Sequence, residues 1–310
     1  MKKTKVLGIV TAIVIIVTAC NSTGSKTKGS LEQIVGVIKI DGSSTVYPIS
    51  EAIAEEFRKE QPKVNVTVGE SGTGGGFKKF VVGEIDICDA SRKIKSSEDS
   101  VAKANKIDYL ELLIAFDGLS VVVNPASTLD NITVAELKKM WEPAAQSKVK
   151  KWSDVNPTWS KEELHLFGPG TASGTFDYFT EEIVGKKGES RGDYTASEDD
   201  NVLVQGVAGD KNALGYFGLA YFEENKDKLK LLKVDGVLPS KETVMNGTYM
   251  PLSRPLFIYI NKNALSKQYV KAFVKYYIDN VKNIIEDVGY IPMHEDEYAK
   301  TKQAFESAVK

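Results

Sequence analysis

From Val35 the chain alternates apolar and polar side chains with a period of two, VGVIKIDG, which predicts a strand. The period then changes. Ile49, Ile53 and Phe57 recur every four residues and form a helix face that closes before Pro62. VNVTVGE returns to strand alternation, GFKKFVVGE reads as a short helix, and IDICDA as a third strand. This β-α-β-α-β order predicts a largely parallel sheet with helices on its faces. Residues 110–125, LELLIAFDGLSVVVNP, form a long apolar run interrupted at Asp117-Gly118. It reads as a strand that leaves one lobe and enters another.

Further along, VAELKKMW is helical, KWSDVNPTW a loop, and LHLFGPG a strand and turn. SGTFDYFTEEIV is a helix with Phe176, Phe179 and Ile183 on one side, and NVLVQGVAGD is another helix. ALGYFGLAYF is a strand followed by either a second strand or the start of a helix. PLFIYIN (255–261) is a buried strand that returns to the first lobe, and QYVKAFVKYYIDNVKNIIEDVG is an amphipathic helix pair. The expectation is an α/β chain of two lobes: 35–117 with 255–310, and 118–254. The crossings lie near 117–120 and 250–255. A cleft between lobes joined by two strands is a ligand site that closes by hinge motion.

The first residues follow another pattern. MKKTK is positive, VLGIVTAIVIIV is apolar, and TAC follows. Residues 1–19 therefore read as a signal peptide. Val17-Thr18-Ala19-Cys20 resembles the lipobox of bacterial lipoproteins, with Cys20 the lipidated first residue; the alternative is an uncleaved anchor helix. Residues 20–34 are polar and small and read as a tether. Cleavage removes three lysines and takes the formal charge from −2 to about −5. No basic patch suggests a nucleic-acid partner. Cys88 is the other cysteine, so with Cys20 acylated no internal disulfide is expected.

Three turns carry the candidate chemistry. DGSST (41–45), SGTGGG (71–76) and GPGTASGT (168–175) each combine glycine with Ser or Thr directly before a helix. Such turns present N–H donors, hydroxyls and a positive helix end together, and suit an oxyanion. Capping and turn formation alone would use the same residue types. Other chemistries fit poorly. The glycine run is followed by Phe77-Lys78-Lys79, which is no P-loop, and Gly170-Thr171-Ala172-Ser173-Gly174 has one residue too many for a lipase-type elbow. His165 and His294 lack metal-ligand spacing, and Ser173 has no nearby base. No metal, cofactor or catalytic residue is expected.

DGSSTVYPISEAIAEEF, GESGTGGGFKKF, DASR, FDGLSVVVNP, FGPGTASGTFDYFTE and PLSRPLFIYI closely resemble the phosphate-binding lipoproteins (PstS type) of bacterial phosphate ABC importers. The resemblance runs from about residue 36 to the end. It implies the two-lobed periplasmic-binding-protein fold (type II), and a dehydrated phosphate held by hydroxyls and amides. Ser44 and Thr45, with the N–H of Val46, match the first binding loop. Thr73 and Gly74 match the second, and Ser173, Gly174 and Thr175 the third. One departure stands out: relatives carry an arginine four residues before the Ser-Gly-Thr, where this chain has Pro169. Arg92 is the preferred replacement, ahead of Arg254 and Arg191. The carboxylate that accepts the proton of hydrogen phosphate is replaced by Ser91 in a gapless match, which leaves Asp89 or Asp117 for that role. The resemblance further implies a monomer, membrane-anchored through Cys20 on the extracytoplasmic face, that delivers phosphate to permease subunits. A binding protein for another tetrahedral anion and a phosphatase are the alternatives.

Overall fold

The computed structural model describes residues 34–197 and 199–310. Cys20, the signal peptide and most of the tether lie outside them. The chain opens β1 (Gly36–Gly42), α1 (Tyr47–Glu60), β2 (Val64–Gly69), α2 (Thr73–Phe80), β3 (Ile87–Ala90) and α3 (Ser96–Ala104). β4 (Tyr109–Val123), β5 (Asn131–Ile132), α4 (Val134–Trp141), α5 (Trp152–Val155), β6 (His165–Pro169) and α6 (Gly174–Phe179) follow. Next come β7 (Thr195–Ser197), α7 (Asp200–Gly209), β8 (Ala213–Gly218), α8 (Leu219–Glu224), β9 (Lys230–Leu231), β10 (Lys233–Val234) and α9 (Lys241–Met245). The chain closes with β11 (Ser253–Asn261), α10 (Gln268–Ile284) and α11 (Glu295–Ala308).

The alternating segments near the start do form parallel strands: β1 pairs with β2 and with β3. One sheet runs in the order β2-β1-β3-β11-β4-β8-β6-β7, with β9 also on β4. β4 joins its halves. Residues 109–118 of β4 pair antiparallel with β11, and from Leu119 onward the partner is β8. The Asp117-Gly118 break in the apolar run marks that exchange of partners.

Apolar burial follows the two halves. In the first lobe, Ile38, Ile53, Phe57, Phe273 and Tyr277 close one face of the sheet under α1 and α10. Phe77, Phe80 and Tyr259 close the other face under α2. In the second lobe, Leu119, Trp141, Phe179, Leu203 and Tyr216 form a separate core. Leu252 belongs to that core and Leu256 to the first, so the chain changes lobe within four residues as it enters β11.

Two sequence expectations are corrected, and one left open is decided. Residues 268–289 hold one helix, α10, not a pair; the second helix is α11, whose weaker apolar stripe buries Thr301 and Phe305. The supposed loop at 151–159 contains the short helix α5, anchored by buried Trp152. After β8 the chain turns into α8, which takes the helix reading of ALGYFGLAYF over the strand pair.

Candidate functional site

The three hydroxyl-rich turns converge. A cavity of about 570 Å³ between the lobes is lined by Ser44, Thr45, Thr73, Gly74, Ser91 and Arg92 from the first lobe and by Gly174, Asp177 and Tyr178 from the second, with Arg254 between them. Ser173, Thr175 and Asp117 border an adjoining cavity of about 350 Å³ that shares Ser44 and Gly174 with the first. The lobes touch there. A Cβ built on Gly174 would stand 3.1 Å from the Ser44 carbonyl and 3.2 Å from the Thr45 nitrogen.

Local structure explains why these residues face the cleft. The first turn is held by Ser43: its N–H donates to Asp89 O (2.9 Å), its carbonyl accepts from Val46 and Tyr47, and its Oγ accepts from Thr45 N–H (3.2 Å). This leaves the Ser44 side chain projecting toward the second lobe, where its hydroxyl donates to Asp177 Oδ2 at 3.3 Å. Of the four glycines in the second turn, Gly72 adopts φ 79° and heads α2 without a side-chain cap. The first amides of α2 therefore have no partner within the helix. Gly76 has a packing role instead: a Cβ there would stand 2.6 Å from Gly42 Cα, so α2 lies close on β1. In the third turn Ser173 Oγ caps α6 by accepting from Thr175 N–H (3.1 Å).

The arginine at the centre is Arg254, not the preferred Arg92. Arg254 Nε donates to Asp117 Oδ2 (3.2 Å), Nη1 to Ser91 Oγ (3.2 Å), and Nη2 to Thr45 Oγ1. Its Cζ lies 3.4 Å from the centre of the Tyr178 ring. Arg92 lines the same cavity, but its guanidinium forks onto Glu98 (2.8 and 2.9 Å) and rests over Phe77. A fork already satisfied by one carboxylate has less to offer a second anion. Arg191 lies within the second lobe, bonded to Met140 O, Val149 O and Asp193.

The acidic residues separate similarly. Asp117 is buried; burial pushes its carboxyl up, against the pull of Arg254. Asp89 does not line the cleft. It is wholly buried on the α1–α10 side of β3, and no described residue comes within hydrogen-bonding geometry of its carboxyl oxygens. Burial pushes its carboxyl up to about 8, which the nearby Ser50 hydroxyl, itself bonded to Tyr277, offsets only in part. Asp177 is the carboxylate that meets a first-lobe loop, and Lys187 pairs with it at 2.8 Å. Val46 is also turned away: its side chain is buried and its N–H donates to Ser43 O. Ser91 and Thr73 join each other through their hydroxyls at 3.0 Å.

Sequence reasoning therefore ranked Arg254 below Arg92 and passed over Tyr178, Asp177 and Lys187. One signal was available for the first. Arg254 and Asp117 stand at the two lobe crossings, and they are directly opposite each other in the antiparallel pairing of β11 with β4.

A family model described as a PBP superfamily domain matches residues 21–281. The chain is 49% identical over 276 residues to Protein SphX of Synechococcus elongatus, covering 87% of this chain and 82% of that one. It is 37% identical over 318 aligned residues to the phosphate-binding protein PstS of Staphylococcus saprophyticus, covering 100% and 96%. Among solved structures, a possible phosphate binding protein from Planctomyces limnophilus is 49% identical with a TM-score of 0.86, over 90% of this chain and 100% of that one. A putative phosphate ABC transporter substrate-binding protein with bound phosphate, from Clostridium perfringens, is 26% identical with a TM-score of 0.55, over 83% and 100%.

Proposed function

The chain belongs to the PBP superfamily, among its PstS-type phosphate-binding proteins, and from that premise we propose how it takes up its ligand. It is an extracytoplasmic binding protein, not an enzyme, that captures inorganic phosphate between its lobes and delivers it to an ABC permease. Ser44, Thr45, Thr73 and the free amides at Gly74 hold the anion from the first lobe. Ser173, Gly174 and Thr175 close on it from the second, and Arg254 supplies the positive charge. The observation that carries this reading is the meeting of Gly174 with the Ser44–Thr45 backbone beside Arg254. Donors from both lobes engage one ion only when the lobes meet, so binding and closure favour each other.

Asp117 and Asp177 border these donors. A carboxylate accepts a hydrogen bond from hydrogen phosphate, whereas a fully ionised sulfate offers no proton and is repelled. Titration calorimetry at neutral pH tests this. Phosphate should bind at micromolar concentration or tighter, and sulfate at least about 100-fold more weakly; equal affinities would reject the selectivity, and turnover of a chromogenic phosphate ester would reject the binding-protein reading. The protein acts as a monomer, held at the cell surface by lipid on Cys20.

A further inference from the structure

Arg254 stands between the lobes. Leu252 packs into the second core and Leu256 into the first, which places Arg254 on the crossing itself. Its N–H groups reach first-lobe hydroxyls, Thr45 Oγ1 and Ser91 Oγ, and Asp117 on the facing strand. From the second lobe it meets the face of Tyr178, with Cζ 3.4 Å from the ring centre. Tyr178 is fixed to its own lobe twice, by α6 and by its hydroxyl, which donates to Pro251 O at 2.6 Å. It is only 2% exposed.

We propose that Tyr178 is a positioning residue that couples the charge of Arg254 to closure of the cleft; the inference rests on the phosphate-binding reading above. The physical reason is geometric. A guanidinium donates in its own plane, with five N–H groups, and stacks perpendicular to it. The described bonds use three of the five, which leaves donors in the plane for an anion. A ring stacked on the face supports the cation without competing for any of them. α6 carries both Ser173-Gly174-Thr175 at its start and Tyr178 one turn on. When the second lobe swings away, the oxyanion donors and the ring leave together. When it closes, the ring takes water off one face of the guanidinium as the anion arrives, and a less hydrated cation attracts the anion more strongly.

Calorimetric phosphate titrations of a double-mutant cycle test the coupling. Tyr178→Leu should weaken phosphate binding about tenfold to thirtyfold, and Tyr178→Phe, which keeps the ring, should recover most of that loss. In an Arg254→Gln background Tyr178→Leu should cost nothing further. Small-angle scattering should show a smaller phosphate-induced compaction for Tyr178→Leu than for the unsubstituted protein. Unchanged binding by Tyr178→Leu overturns this inference alone, as does an equal loss in the Arg254→Gln background, which would make the ring mere packing for α6. If the Leu variant does not fold, Tyr178→Met fills the site and carries the same comparison. Failure of the unsubstituted protein to bind phosphate overturns the functional reading with it.

Discussion

Gly174→Ala adds one methyl group where the lobes touch. The new Cβ would stand 3.1 Å from the carbon and oxygen of the Ser44 carbonyl and 3.2 Å from Thr45 N. Carbon contacts settle at about 3.5–4.0 Å, so the two loops must part by roughly half an ångström. The obstructing atoms are backbone, and the turn is tied down by Ser43 N–H to Asp89 O and by Val46 N–H to Ser43 O. The loop cannot yield, so the lobes rotate apart instead. Every hydrogen bond that an anion makes across the cleft then stretches beyond the range of about 2.7–3.2 Å in which such bonds are strong. Two weakened bonds at about 0.5–1.5 kcal/mol each amount to about 1–3 kcal/mol, or roughly fivefold to 150-fold in Kd. Fold stability should move the other way. Gly174 is the first residue of α6, and alanine favours a helix over glycine by up to about 1 kcal/mol. Melting without phosphate should therefore be unchanged or higher, while the phosphate-induced rise in Tm shrinks. Calorimetry and thermal melts with and without phosphate measure both. An unchanged Kd, or a variant whose main defect is a lower Tm without phosphate, refutes the reasoning.

The other predictions use the same measurements. Arg254→Gln should weaken phosphate binding at least about 100-fold, since it strips the site's charge and unpairs buried Asp117, whereas Arg92→Gln should cost less than about tenfold because Arg92 is already engaged by Glu98; the reverse order would restore Arg92 as the site's arginine. Asp89 holds its proton in the folded state up to about pH 8 but releases it near 3.8 when unfolded, so it lowers stability as pH rises between those values. Asp89→Asn should flatten the fall in Tm between pH 5 and pH 8, and an identical slope in both proteins would dismiss the buried carboxyl as its cause. Cys20→Ser should shift the protein from the membrane fraction to the soluble one, and continued membrane association would favour an anchor helix.

Much of the architecture was legible because it rests on short-range regularities. The period-two alternation of β1 and the period-four stripe of α1 each report which side of one element faces apolar neighbours. The three turns were legible for the same reason: glycine with Ser or Thr before a helix is local chemistry, whatever the rest of the chain does. Helix α11 escaped because its buried side, Thr301 and Phe305, is too sparse to announce a period. Asp89 and Asp117 looked equivalent as buried acids near a loop. Across β11, Asp89 of β3 faces Ile258 whereas Asp117 of β4 faces Arg254, and no local pattern encodes that pairing.

What the chain determined by itself, then, was most of the longer elements, the apolar break between the lobes and the donor types at three helix starts, all of which depend on neighbours a few residues away. What only the tertiary structure decided was which charges meet. Arg254 reaches Thr45 and Ser91 from 209 and 163 residues away, and Tyr178 meets it from the opposite lobe. Glu98 occupies Arg92 from six residues away, and neither assignment follows from residue type. An arginine's role is set by which partner takes its planar donors, and that depends on the pairing of β4 with β11 and on the approach of two separately packed cores.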